Sequence, residues 1–417
     1  MDKPVRRPIV QSMSEIHDIV VVGGGLNGRL LSLAAAQAGL SLAVLDKEPA
    51  GSLGYDGRSY ALALTSVNVL RALDLWDALG PMAEPILDIK VTTGRPGQGA
   101  APFFMHFDHA ELEEGPMGHM VEDVHLRAVL DAAIAEEDRI EWISDANVIG
   151  QEVDGGKAAA VLSDGRVIEA RLLVGADGRG SKVAQRAGLS KVAWDYDQTA
   201  LVCVIAHEKP HQGVAHQFFA PAGPLAVLPL QGNRSSIVWS ETTAIAAQIM
   251  EMDETGYLSA LRPLIGAYLG EIALEGVRYS YPLGLSVARQ FVGERLALLG
   301  DAAHGIHPLA GQGLNLGIRD TAALVEVSAA ASRRGQDIGS ADVLRHYQRW
   351  RRPDAVALAL ATDQLNRLFS NSNPGLAVAR SVGLGLVNAV PNLRRGFMRQ
   401  AAGLKGDLPK LMRGQAV

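Results

Sequence analysis

Hydrophobic and polar positions divide the chain into stretches of different period. Residues 19–22 form a short apolar run that ends in three glycines, 30–38 read as an Ala/Leu-rich helix, and 42–45 form a second apolar run. That order predicts a strand–helix–strand unit. Between about 190 and 240 the texture changes to short alternating or apolar runs at 201–205, 215–219, 224–230 and 235–239, separated by turn chemistry such as Gln231-Gly232-Asn233. These predict a mostly antiparallel sheet. Residues 243–270 read as helical, and 296–299 form another apolar strand that ends in Gly-Asp. From about 341 the pattern is helical, with Pro353, Pro374 and Pro391 expected as breaks. The expected class is therefore α/β: a discontinuous Rossmann-like domain (14–85, 107–188 and 286–340), an antiparallel-sheet domain (86–106 and 189–285) and a C-terminal helical region (341–417).

A chain of 417 residues can enclose a large ligand between two such domains. A net charge of -6 offers no basic footprint for nucleic acid. Cys203 is the only cysteine, so an intrachain disulfide is excluded and a reducing, cytoplasmic setting is expected. Residues 1–12 carry Lys3, Arg6 and Arg7 without an apolar core, and no stretch supplies 18 clean apolar residues. The expectation is a protein neither secreted nor membrane-spanning, with a loose N-terminal extension.

Gly23-Gly24-Gly25-Leu26-Asn27-Gly28 lies between the first strand and its helix, and Asp46 ends the second strand. This spacing suits a dinucleotide: Gly23 for the tight turn, Gly25 for close approach to a pyrophosphate, Gly28 for helix–strand packing and Asp46 for ribose hydroxyls. Leu26, Asn27 and Lys47 complete this candidate set. The glycine pattern serves FAD and NAD alike. A second segment, residues 295–317, runs from a strand into Gly300-Asp301, then a loop, then a helix starting near Gln312. Asp301 is suited to accept from a sugar-alcohol hydroxyl, and Gly311 and Gly313 keep the backbone bare enough to approach a flat ring. The positive end of the following helix would favour the anion of a reduced flavin. His304 and His307 stand three apart, but no third ligand is spaced to complete a metal site, so none is expected.

The segment 295–317 resembles the signature of the ubiquinone-biosynthesis flavoprotein hydroxylases, a branch of the group A flavin monooxygenases. The likeness extends over nearly the whole chain, through 56–62, 172–181, Trp194-Asp195-Tyr196-Asp197-Gln198, 211–230, Tyr281-Pro282-Leu283 and 347–352. It implies a Rossmann-like FAD-binding domain, NAD(P)H as electron donor and O2 as co-substrate. Asp301 is then placed on the ribityl chain, and the backbone of Gly313, Leu314 and Asn315 beside the isoalloxazine. It also implies cofactor contacts from Arg58, from Arg127 on a helix at 124–133, and from Asp177 in the second Asp-Gly fingerprint. Two positions depart from the family pattern: Ala184 stands where arginine is usual, and Asp123 where asparagine is usual.

The resemblance further implies a polyprenylated phenol as substrate, other ubiquinone-biosynthesis proteins as partners, and ring hydroxylation as the reaction. No side chain is identified by pattern as catalytic; His304 and Gln312 are the candidates within the loop. Phe218, Phe219, Leu225, Val227, Leu228 and Trp239 are read either as a wall over the flavin or, as is commoner for an alternating apolar face, as core, and His211 and His216 as satisfied or solvent-facing residues flanking a strand. Residues 375–390 are largely apolar and are followed by Arg394, Arg395 and Arg399, a mixture suited to an anionic membrane face at the inner membrane or to a partner subunit, or else to helices packed on the flavin domain. Two other readings are a hydroxylase of a small soluble aromatic and a catalytically silent FAD-binding scaffold.

Overall fold

The computed structural model describes residues 16–49, 57–93, 104–111, 114–370 and 383–417. The N-terminal extension, Asp56, Pro374 and the first part of the apolar stretch 375–390 lie outside the described residues.

The first layer is a sheet with five parallel strands in the order Leu296–Leu298, Val167–Gly175, His17–Val22, Leu42–Leu45 and Ile140–Ile143. The central strands are buried on both faces, which is why they read as unbroken apolar runs. Register matters most for function. Val22 pairs with both Leu45 and Gly175, and Gly175 with Leu298. All four strands therefore end level, and the turns that follow them open on one edge of the sheet, where α/β folds bind ligands.

The second sheet has eight strands, in the order His304–Gly305, Ile272–Ala288, Lys191–His207, Arg234–Thr242, Gly223–Leu230, Val214–Ala220, Asp88–Thr92 and Phe104–Asp108. It is antiparallel apart from the pairing of Val214–Ala220 with Asp88–Thr92. Its longest members include Ile272–Ala288, which the apolar pattern did not outline because Pro282 interrupts it. That proline is tolerated because the strand's outer edge is paired only at Ser286 and Val287, so no ladder bond is asked of residue 282 on that side. Helices Thr243–Glu251 and Glu254–Ile265 cover one face of this sheet. A small third sheet pairs Gly118–Glu122 with Ser59–Ala63 on one side and Glu84–Ile86 on the other.

The expected break at Pro353 does not occur: one helix runs from Ala341 to Phe369 with the proline inside it. Proline removes one helical hydrogen bond, but charged contacts pin the chain on both sides of it. Arg351 Nε meets Asp320 at 2.9 Å, and Asp354 receives Arg351 and Arg319, each at 2.8 Å. Pro391 does stand at a boundary, at the start of helix Pro391–Ala401, where a missing N–H costs nothing.

Asp320 is fully buried on helix Gln312–Arg333 and collects Arg351, His304 Nε2 and the backbone N–H of Gly300. Burial alone would raise its carboxyl, but the coulombic pull of His304 and Arg351 holds it below the usual carboxylate range. A depressed folded-state value contributes stability that is complete above the unfolded value of about 4 and is lost as pH falls through the folded value. Asp320→Asn is expected to lower stability near pH 7 by about 3–5 kcal/mol, since buried Arg351 and His304 lose the charge they share and only Asp354 remains for Arg351. The deficit should shrink as pH falls into the acid limb. Urea unfolding across pH checks this; a neutral substitution at pH 7 would show that the cluster does not hold the fold.

Candidate active site

The four level strand ends deliver the glycine loop, Asp46, Ala176-Asp177 and Gly300-Asp301 to one side of a cavity of about 1210 Å3. Gly25, Leu26, Asn27, Arg58, Arg127, Asp301, Gly311, Gln312, Gly313 and Leu314 all line it.

Gly23 has φ +108°, and a Cβ there would stand 2.5 Å from the Ala176 carbonyl oxygen, so the turn requires glycine. Gly28 is glycine because a Cβ would meet the Gly23 oxygen at 2.1 Å. Gly25 is different: nothing lies within 4 Å of its added Cβ. It is also the N-cap of helix Leu26–Gln37, with no side-chain cap, leaving the first N–H groups of the helix free for an anion. The same holds at the second helix. Gly311, at φ +62°, caps helix Gln312–Arg333 without a side-chain bond, and the added Cβ of Gly313 also meets nothing. At Gly25 and Gly313 the protein's own packing leaves room for a side chain. The space in front of them fits the pyrophosphate and the ring of FAD.

The polar groups around the cradle suit the same ligand. Asn27 fits between Gly300 and Gly317, either of which would collide with it if it carried a Cβ, and its Oδ1 is unpartnered. Arg58 lies over the Tyr281 ring at 5.5 Å. Arg127 Nε donates to Asp123 at 2.5 Å, and Asp123 is fully buried. The departure to aspartate at 123 thus supplies a charge that orients Arg127 at the cavity. Asp46 is buried, 3.9 Å from the Arg29 guanidinium, which itself covers Trp142.

Several sequence candidates occupy other positions. Lys47 is exposed beside Glu48 and does not line the cavity. Asp177 Oδ2 accepts from the backbone N–H groups of Lys182 and Val183, so it anchors the helix Lys182–Arg186. The Asn315 side chain is consumed in structure: Oδ1 accepts from Ala63 N and Ser66 Oγ, and Nδ2 donates to the oxygens of Ala61 and Gly311. It ties the flavin loop to strand Ser59–Ala63. His304 is buried against Asp320 and does not line the cavity, whereas Gln312 does. Ala184, where arginine is usual, is fully buried, and the nearby cavity-lining cation is Arg179, directly after the Asp-Gly pair. The sequence reading passed over Arg179, although its place in that motif was the available signal.

The candidate aromatic wall is divided between the cavity and the core. Phe219 and Leu228 line the cavity, but Phe218, Leu225, Val227 and Trp239 belong to the opposite face, packed with Tyr257 and Leu261. Neighbouring residues on a strand point to opposite sides, so a run of apolar residues cannot form one wall. The cavity face is instead Gln217, Phe219, Ala226, Leu228, Ser236 and Val238. His216 stacks on Phe218 and packs at a tilt against Tyr268, and His211 is satisfied by the Leu230 oxygen and Gly213 N–H. The far wall comes from the C-terminal region, including Leu358, Leu365, Leu368, Phe369, Leu384 and Phe397.

Residues 17–362 match the family model described as an FAD binding domain. Ubiquinone hydroxylase UbiL of Rhodospirillum rubrum is 42% identical, covering 98% of this chain and 95% of its own. The 3-demethoxyubiquinol 3-hydroxylase of Escherichia coli is 33% identical over 93% of this chain and 98% of its own. The mitochondrial ubiquinone biosynthesis monooxygenase COQ6 of Rattus norvegicus is 31% identical over 95% and 93%. Among solved structures, p-nitrophenol 4-monooxygenase PnpA from Pseudomonas putida shares the fold, with a TM-score of 0.77 at 21% identity, covering 94% of this chain and 98% of that one. With the glycine cradle, the flavin loop and these whole-length likenesses together, the chain belongs to the FAD-binding family of ubiquinone hydroxylases and is an FAD-dependent monooxygenase that uses NAD(P)H and O2.

Proposed function

We propose that this enzyme hydroxylates the aromatic ring of a polyprenylated phenol in ubiquinone biosynthesis, a reading supported by relatives named ubiquinone hydroxylase and 3-demethoxyubiquinol 3-hydroxylase. The observation that carries the reading is the change in character along one cavity. Its flavin end is polar, with Asp301, Arg58, Arg127 and two uncapped helix N-termini. Its other walls are Ile89, Val91, Met105, Phe219, Leu365 and Leu368. A substrate that ended at its phenol ring would leave that apolar wall against water, whereas a prenyl tail covers it.

FAD supplies the electron transfer from NAD(P)H and the activation of O2, which no side chain provides. The chain's part is to bind and to shield. Asp301 would accept from a ribityl hydroxyl, Arg58 and Arg127 would face phosphate, and the N-terminus of helix Gln312–Arg333 would favour negative charge on the ring. The cavity face of the second sheet and the far helix would hold the phenol in place and exclude water.

The tail enters, in this reading, from a membrane surface or a partner protein of the same pathway, with the enzyme peripheral on the cytoplasmic side of the inner membrane. No helix among the described residues is long and apolar enough to cross a membrane. Leu365, Leu368 and Phe397 both line the cavity and are exposed, and Leu386, Val390 and Leu393 extend the apolar rim outward. The basic component is smaller than composition implied: Arg394 pairs with Glu111 at 2.8 Å and Arg399 with Glu114 at 3.0 Å. Apolar contact rather than charge would dominate.

Asp301→Ala should give a folded protein that has lost most of its flavin, since a hydrogen bond to a charged acceptor is worth about 1.5–3 kcal/mol. Absorbance of the purified protein near the flavin bands, set against its melting temperature, measures this; full flavin occupancy would count against the site. Gly313→Val should keep its stability, because nothing in the protein lies within 4 Å of an added Cβ, yet turnover should fall at least ~100-fold as the ring is displaced. Normal turnover would remove the ring from that place. Cells lacking the enzyme should accumulate a polyprenylated ubiquinone precursor short of at least one ring oxygen. Mass spectrometry of quinone lipids reads this directly, and a normal ubiquinone profile without a redundant hydroxylase would sink the substrate assignment.

A further inference from the structure

We propose that Tyr196, Asp363 and the pair Gln198–Asn366 form a clamp that seats the cavity-lining end of helix Ala341–Phe369 against the flavin loop, and that this clamp governs recognition of the substrate's apolar tail. The proposal rests on the prenylated-phenol reading above.

The helix end is a wall of the cavity through Leu358, Ala361, Leu365 and Phe369, and Phe369 stacks on Phe219 at 4.1 Å. A wall of this kind needs only apolar packing, yet its protein-facing side carries Asp363 and Asn366, both at most 5% exposed. Asp363 accepts from Trp194 Nε1 at 3.1 Å, Tyr196 OH at 3.0 Å and Arg367 Nε at 2.9 Å. Asn366 Nδ2 donates to Gln198 Oε1 at 2.9 Å, and Gln198 Nε2 donates to the Ala222 oxygen at 2.6 Å. Burying a carboxylate is costly unless it is paired, and hydrogen bonds specify one seating where apolar surfaces tolerate several.

Strand Lys191–His207 is shaped for this contact. Opposite it, Gly284 and Leu283 are consecutive, but their partners are Asp195 and Gln198, so Tyr196 and Asp197 are extra residues, with Asp197 at φ +53°. The bulge breaks the ladder at the place where Tyr196 and Gln198 meet the helix. Tyr196 also packs edge-on against His307 of the flavin loop, with ring centroids 5.3 Å apart. His307 is fully buried and neither ring nitrogen has a hydrogen-bond partner, so its contact with Tyr196 is one of packing. Tyr196 thus touches the flavin loop with its ring and the helix with its hydroxyl. Displacing the helix end moves the tail wall relative to the flavin loop.

The test compares the holoenzyme with Asp363→Ala, Asp363→Asn and Tyr196→Phe on two probes, 2-geranylphenol and 2-methylphenol. Hydroxylated product per NAD(P)H oxidised is read beside flavin content and melting temperature. Asp363→Ala should lose about tenfold in coupling on 2-geranylphenol and less than about twofold on 2-methylphenol, with flavin content unchanged, because only remote binding is disturbed. Tyr196→Phe should move the same way by a smaller factor, and Asp363→Asn, which keeps an acceptor oxygen, should recover most of the loss. If Asp363→Ala does not fold, the other two variants decide. Equal losses on both probes, a loss that tracks flavin content, or no loss would overturn the clamp while leaving the substrate reading standing. A wild-type enzyme that does not distinguish the two probes would overturn the substrate reading and the clamp's role with it.

Discussion

The buried charge on Asp320 is the point on which the active region depends. One carboxylate without solvent receives His304 from the flavin loop, Gly300 N–H from the turn before Asp301, and Arg351 from the long C-terminal helix. Tyr347, one turn before Arg351, donates to the Leu298 oxygen at the end of the strand that delivers this turn. Each partner belongs to a different segment, and each must be in place for the carboxylate to stay ionised away from water. The flavin loop's position is therefore set from behind, by groups that never reach the cavity. His304 belongs to this support, which explains a histidine in a loop where its ring does no chemistry at the cavity surface.

In front of that support the protein presents backbone rather than side chains. Two helices begin at glycine without a side-chain cap, and the open space at Gly25 and Gly313 contrasts with the crowded surroundings of Gly23, Gly28, Gly300 and Gly317. The crowded glycines are explained by the fold, whereas the open ones leave the room at two helix N-termini that a bound cofactor would need. Arg58 and Arg127 add full charges at this end, one oriented over an aromatic ring and the other by a buried aspartate. The result is a polar, positively biased end to a cavity whose remaining walls are mostly apolar. That asymmetry matches a cofactor that is charged at one end of a site and a substrate whose greater part is hydrocarbon.

How much of this was legible in the sequence follows the range of the forces involved. Local patterns identified the strand–helix–strand start, the glycine cradle with Asp46, the Gly300-Asp301 turn, the helix at Gln312, the antiparallel runs and the helical C-terminal region. Each is set by a few neighbouring residues through periodicity, turn chemistry or helix capping. Departures were readable as departures, but not their meaning: that Asp123 orients Arg127, and that Ala184 is buried, needed the partners to be seen.

Tertiary structure decided which face each residue presents and which distant segments meet. It split the expected wall between two sides of a sheet, because strand side chains alternate and the register was fixed by pairing across the chain. It carried a helix through Pro353, where charged contacts on either side outweigh one missing hydrogen bond. It made a strand of the segment containing Pro282 by leaving that edge unpaired, and it set Tyr196 and Gln198 on a bulge where Asp363 and Asn366 arrive from some 170 residues away. The sequence by itself determined most of the elements and a dinucleotide cradle, since these depend on neighbours, and its likeness to a known family narrowed the cofactor to FAD. The cavity and its support depend on pairings between residues far apart in the chain, which only the folded arrangement brings within hydrogen-bonding reach.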